Sequence, residues 1–175
     1  MPLGKELSLQ KPIEILQHEA LLNIYYTAAQ LKKRADEFFN EYGLTDVQFN
    51  VLMLLQTQTG RCGGLSQAQI GEMMLVNRAN ITALIDRMEK SGLVTRAASV
   101  NDRRSNIIRM TDKGCKLFAK AAPLYYKQVA KLMTGINAAE QKRIIAVLEK
   151  IRDGLRNGNG RPLQNLNNNF SGADV

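Results

Sequence analysis

Between Ser66 and Met110 the chain changes its hydrophobic period, and this limits what it can fold into more than any other feature. Ser66 is a favourable N-cap with Gln69 three residues on, so a short helix is predicted to open there, burying Ala68, Ile70, Met73 and Met74. Asn77 is a second cap-type residue. Behind it Ile81, Leu84, Ile85 and Met88 fall on one helical face until Ser91-Gly92 ends the helix. Leu93-Val94-Thr95-Arg96 and Asn106-Ile107-Ile108-Arg109-Met110 then read as two short strands on either side of a polar loop, Ala97–Ser105.

Helix, tight turn, helix, strand, polar loop, strand is the order of a winged helix-turn-helix, in which the second helix enters the major groove of DNA. With Ile81, Leu84, Ile85 and Met88 facing a core, a turn of about 100° per residue puts Ala79, Thr82, Ala83 and Asp86 opposite. Arg78, Asn80 and Arg87 lie on the flanks. Small side chains let a helix approach base edges, Thr and Ala methyls suit thymine methyls, and Arg and Asn offer paired hydrogen bonds to guanine and adenine. Asp86 does not suit contact with DNA and is expected to orient an arginine, with the wing as one place for it. In the loop, Arg103 and Arg104 stand side by side, a pair suited to the negative potential of a narrow minor groove. A solvated turn is the bland alternative, since Asn101-Asp102 is common turn chemistry; its place after a helix-turn-helix favours the DNA reading.

The remaining segments read as helices. Pro12 can open a first one, with Ile15, Leu21, Ile24, Tyr25, Ala28, Leu31, Ala35, Phe38, Phe39 and Tyr42 at helical spacing until Gly43. At about 30 residues it is too long to bury its stripe unaided, and a partner subunit is the natural cover. Thr45, with Gln48 at the capping-box position, opens the next helix, whose apolar positions are Val47, Val51, Leu52, Leu54 and Leu55. Thr57–Gly64 is read as a loop. Beyond the wing, Thr111-Asp112 starts a helix to about Met133, with Cys115, Phe118, Ala119, Ala122 and Tyr125 on one face and a kink expected at Pro123. Asn137 and Glu140 form a further capping box ahead of Ile144, Ile145, Leu148, Ile151 and Leu155.

Composition narrows the function classes. The net charge is +8, distributed as −2 over residues 1–60, +4 over 78–113 and +6 over 114–175, which suits a polyanionic partner or simply a soluble basic surface. No apolar run approaches a membrane span and Met1–Leu9 lacks a signal-peptide centre, so a cytoplasmic protein is expected. Cys62 and Cys115 make no disulfide framework or metal pair, and His18 is the single histidine. Cys115 is read as an inert core residue; Cys62, beside Arg61, has no resolving partner nearby in sequence. No nucleophile–base pair, metal cluster or phosphate-cradling loop is evident, so neither an enzyme nor a cofactor is expected.

The chain resembles the MarR family of multiple-antibiotic-resistance regulators. The resemblance is carried by Val76-Asn77-Arg78-Ala79-Asn80-Ile81-Thr82, by Asp86-Arg87-Met88-Glu89-Lys90-Ser91-Gly92-Leu93-Val94, and by Asp102-Arg103-Arg104-Ser105 running to Thr111 and Gly114. It extends more loosely over about residues 13–155. It implies a homodimer on a pseudo-palindromic DNA operator, usually a repressor, released by a small aromatic or phenolic effector between the dimer helices and the DNA lobe. It also implies that Arg78, Asn80 and Thr82 read bases, that Arg104 enters the minor groove, and that Ser66 and Gln67 touch phosphates. With Asn77, Arg87 and Arg103 these form the candidate DNA-binding set. The expected fold is mainly α with a small β-wing. Its parts are an N-terminal dimerisation helix (1–43), a winged helix-turn-helix lobe (44–113), C-terminal dimerisation helices (114–156) and a disordered tail (157–175). A winged-helix protein-interaction module without sequence-specific DNA binding is the competing reading.

Overall fold

The computed structural model describes residues 2–60, 63–98 and 106–158. A single turn, α1 (Leu3–Glu6), precedes the long α2 (Leu16–Asn40). The start at Leu16 corrects the expected start at Pro12. Lys11, preceding a proline, is biased towards extended backbone, and no Ser, Thr, Asp or Asn stands there to cap a helix. At 25 residues α2 is about 37 Å long. It ends before Gly43, whose φ of +67° only a glycine adopts without cost.

The capping box at Thr45 is present as the sequence indicates. Its hydroxyl accepts the Gln48 N–H, and the Gln48 side chain accepts the Thr45 N–H. This opens α3 (Asp46–Thr59), which buries Phe49, Val51, Leu52 and Leu55. Phe49 was not among the expected core positions, although it stands one helical turn before Leu52. The helix also runs through Thr59, three residues into the expected loop.

Three strands form where two were expected. β1 (Leu65–Ser66) lies antiparallel to β3 (Asn106–Met110), which also pairs with β2 (Val94–Ala98), in the order β1-β3-β2. Two residues carry no period to detect, and β1 exists only because β3 supplies its partner. Between β1 and β2 lie α4 (Gln67–Met73) and α5 (Arg78–Lys90). The face of α4 differs from expectation: Ile70 and Gly71 are buried, Met74 is half-buried, and Ala68 and Met73 are exposed. Gly71 is the reason. A Cβ there would stand 3.2 Å from the Val76 carbonyl oxygen and 3.5 Å from Ile81 Cγ2, so α5 approaches the backbone of α4 directly.

After β3, Thr111 fastens the wing to α6 (Asp112–Leu132). Its hydroxyl donates to the Gly92 carbonyl at 2.6 Å and accepts the Gly114 N–H at 3.1 Å. The buried face of α6 is Gly114, Ala121 and Ala122 with Leu117, Phe118 and Tyr125 half-buried; Ala119, expected on it, is exposed. Cys115 is half-buried and unpaired. Phe49 is the hub of an aromatic cluster joining α2, α3 and α6. Its ring centroid lies 4.1 Å from that of Phe39, 5.1 Å from Tyr125 and 5.5 Å from Phe118. Burial holds the Tyr125 hydroxyl above its usual pKa, with the Asp46 and Tyr126 charges acting in the same direction.

The chain divides into two compact units, Met1–Lys127 and Gln128–Val175. In the second, a turn with Gly135 at φ +90° leads to α7 (Ala138–Gly158). Asn137 and Glu140 form the expected capping box: Asn137 Oδ1 accepts the Glu140 N–H, and the Glu140 carboxylate accepts the Asn137 N–H. Asn157 and Gly158 belong to α7 rather than to the expected tail, and residues 159–175 lie outside those described.

A Cβ at Gly114 would stand 2.2 Å from the Leu93 carbonyl oxygen, a backbone atom that cannot swing aside. Gly114→Ala is therefore expected to destabilise the fold by roughly 2–3 kcal/mol, read as a lower urea midpoint at unchanged m-value.

Candidate nucleic-acid interface

The helix-turn-helix is assembled by local chemistry. Ser66 caps α4 through a box with Gln69, its hydroxyl accepting the Gln69 N–H at 3.2 Å. Asn77 caps α5, its Oδ1 accepting the Asn80 N–H at 2.9 Å. The turn between them passes through Leu75, which has φ +53° and is 93% exposed. A left-handed leucine costs about 1 kcal/mol, so packing on both sides of the turn must hold it.

Ile81, Leu84, Ile85 and Met88 are all buried, as their spacing requires. Their burial fixes the outward face of α5. Arg78, Ala79, Asn80, Ala83, Asp86 and Arg87 are exposed, and so is the capping Asn77. Ser66, Gln67 and Thr82 are half-buried. Seven of the nine candidate residues thus stand on or beside one helix-turn-helix, on α4, α5 and their caps. The other two, Arg103 and Arg104, lie outside the described residues, as does Cys62.

Besides the capping Ser66 and Asn77, two candidates are engaged within the protein. Gln67 Nε2 donates to Thr82 Oγ1 at 3.0 Å, and that hydroxyl donates in turn to the Arg78 carbonyl at 2.9 Å. The Thr82 hydroxyl is therefore already both donor and acceptor, which leaves its methyl as the group free of polar engagement. Gln67 Oε1 accepts from Arg96 Nε at 3.3 Å.

Arg96, on β2, is the residue that reading the sequence for DNA contacts missed. Its Nη2 meets Asp86 Oδ1 at 2.5 Å, its Nη1 donates to Glu89 Oε2, and its backbone N–H donates to Glu89 Oε1 at 3.0 Å. Asp86 thus orients an arginine of the wing strand, as expected of it. Partial burial of the guanidinium lowers its pKa, but the hydrogen bonds and charges of Asp86 and Glu89 outweigh this and the net direction is upward. The signal available in sequence was a charged residue inside a short strand; its place opposite the fully buried Ile108 emerges only with the strand register.

This geometry has known counterparts. The MarR family model matches residues 42–105, from the turn after α2 to the residue before β3. An uncharacterised HTH-type transcriptional regulator, YkoM of Bacillus subtilis, is 31% identical over 136 residues, covering 75% of this chain and 86% of its own. The chain belongs to the MarR family. Among solved structures, the Mycobacterium tuberculosis transcriptional regulator MOSR in complex with DNA superposes with a TM-score of 0.63 at 25% identity, over 78% of this chain and 98% of that one. The Staphylococcus aureus MepR–DNA complex gives a TM-score of 0.70 at 20% identity, over 78% and 97%. The MarR family consists of DNA-binding transcriptional regulators rather than enzymes, and the winged helix-turn-helix described above is its fold. No helix among the described residues is long and apolar enough to cross a membrane.

Because Asn77 satisfies an otherwise unpaired N–H of α5, Asn77→Ala is expected to cost about 1 kcal/mol of stability. A thermal melt by circular dichroism should show the lower Tm.

Proposed function

We propose that this chain is a homodimeric, sequence-specific regulator that represses from a pseudo-palindromic operator and is released by a small aromatic or phenolic effector. The observation that carries the DNA-reading part is the exposed edge of α5, where Arg78, Ala79, Asn80 and Ala83 lie over a fully seated apolar face. Short side chains there permit close approach to a major groove, and Arg78 and Asn80 supply the hydrogen-bonding groups that distinguish base pairs. Ser66, Gln67, Asn77 and Arg87 surround that edge as backbone contacts, Thr82 offers its methyl, and Arg103 and Arg104 of the wing take the neighbouring minor groove. The repressor role and the effector rest on the family resemblance.

Exposed apolar stripes support the dimer. On α7, Ile144, Ile145, Val147, Ile151 and Leu155 are 39–66% exposed; on α2, Leu16, Leu21, Tyr25 and Leu31 are 44–75% exposed. Segments 1–43 and 114–156 are the parts assigned to dimerisation. Two subunits related by a two-fold axis would read half-sites about one helical turn, ~10 bp, apart or a multiple of it.

Sequencing of genomic fragments selected by the purified chain tests the reading directly. Enriched fragments should share an inverted repeat; a chain that enriches nothing at low salt is instead a protein-interaction module. Asn80→Ala should relax the preference at one position per half-site and cost about 1–3 kcal/mol there, whereas uniform weakening across sequences counts against base reading by Asn80. For assembly, Ile145→Glu combined with Ile151→Glu should convert the dimer to monomer in sedimentation velocity and weaken operator binding; a persisting dimer removes α7 from the interface.

A further inference from the structure

The polar residues behind the DNA-facing edge form one connected path. It starts at Arg96 on β2 and reaches α5 by two branches, one direct and one through Gln67 of α4. Two carboxylates of α5, Asp86 and Glu89, hold one side of the guanidinium, and Glu89 also takes the Arg96 backbone N–H. The Arg96 Nε–H goes to Gln67, whose amide nitrogen holds the Thr82 hydroxyl, which in turn is bonded to the Arg78 carbonyl. One side chain therefore ties the wing strand, the first helix of the motif and the second helix together.

The chemistry at each end is specific. Three acceptors arranged around one planar group suit a guanidinium, which presents its N–H groups in a fixed fork; an ammonium would keep the charge but could not satisfy the same set. The Arg96 side chain is only 20% exposed, and three of its five N–H groups are already engaged. It has little reach left for a phosphate. Asp86 sits among residues facing DNA, where a carboxylate is unfavourable by itself; its pairing with Arg96 offsets that charge next to the polyanion.

We propose that Arg96 is the positioning residue of the DNA-reading surface: it sets the wing strand, Gln67 and Thr82 relative to α5 and makes no contact with DNA. The inference rests on the DNA-reading function argued above and adds a residue that acts through others. Thr82 then presents its methyl because its hydroxyl is held by Gln67, and Gln67 keeps that orientation because Arg96 holds its oxygen.

The test uses the full chain and an operator found by fragment selection, with affinity measured across a range of KCl and the active fraction counted by stoichiometric titration. Arg96→Met should weaken binding about 10-fold or more, with the salt slope and the active fraction of the wild type. Arg96→Lys should lose a similar factor despite keeping its charge. Gln67→Ala should cost less in the Arg96→Met background than in the wild type, since the two residues act on one path. Wild-type affinity in both Arg96 variants overturns the proposal. So does a salt slope reduced by about 1 per subunit, which marks a direct phosphate contact, or a lower active fraction at unchanged affinity, which marks a role in folding only. A wild-type chain that selects no DNA at all overturns the functional reading and this inference together; binding that survives in the variants overturns this inference alone.

Discussion

The burial of Ile81, Leu84, Ile85 and Met88 fixes the rotation of α5, and every exposed position on that helix follows from it. Each of these side chains contributes about 1.5–3 kcal/mol by leaving water, so together they outweigh any preference of the polar edge. A shift of the stripe by one residue would turn the helix by about 100° and carry Asn80 and Ala83 away from the outward face. The small residues at Ala79 and Ala83 therefore matter only in combination with the large ones behind them. Gly71 completes the constraint by letting α5 approach α4 at the level of Ile81.

Polar chemistry is layered on this apolar base. Asn77 and Ser66 satisfy helix N-termini within four residues of themselves, so they act locally and would do so in an isolated peptide. Arg96 differs, because its partners Asp86, Glu89 and Gln67 come from two helices and meet only once the sheet has formed. The sheet is held to the core by Ile108, Leu65 and Val94, all buried, and to α6 by the Thr111 hydroxyl. The apolar core thus comes first in the causal order, and the arginine converts that packing into a defined orientation of polar groups.

What the sequence discloses follows the same division. The boxes at Thr45, Ser66 and Asn137 and the stripe of α5 were legible because every residue involved lies within one or two helical turns. β1 was not, since two residues form a strand only when a segment some forty positions away, Ile107-Ile108, presents its edge. The choice of Ala121 over Ala119 on α6 depends on which side of that helix meets Leu93 and Leu52 near Gly114, and nothing local records it. Asp86 was legible as a carboxylate in need of a cation, and the cation's position required the strand register. In the proposed site the α5 edge was readable except at Thr82, which was expected outward and is half-buried; the engagement of Gln67 by Arg96 and of Thr82 by Gln67 was not readable, because it depends on a side-chain path through three elements.

The chain carries two kinds of surface that cannot be satisfied by the same partner. The α5 edge is polar, small and flanked by cations, and it suits a ligand that is hydrated and anionic. On α7 no residue from 138 to 157 is buried, and large aliphatic side chains recur along it. A helix of 21 residues has marginal stability alone, and an apolar stripe in water adds nothing to it; in the proposed dimer this segment would gain stability by burial against another apolar surface. A second copy of the chain supplies such a surface at the same concentration and with the same pattern, and a two-fold axis through it would also duplicate the α5 edge. On the proposed dimer, assembly and recognition would be coupled by symmetry: the contact covering the stripe would set the spacing at which two reading helices meet an operator.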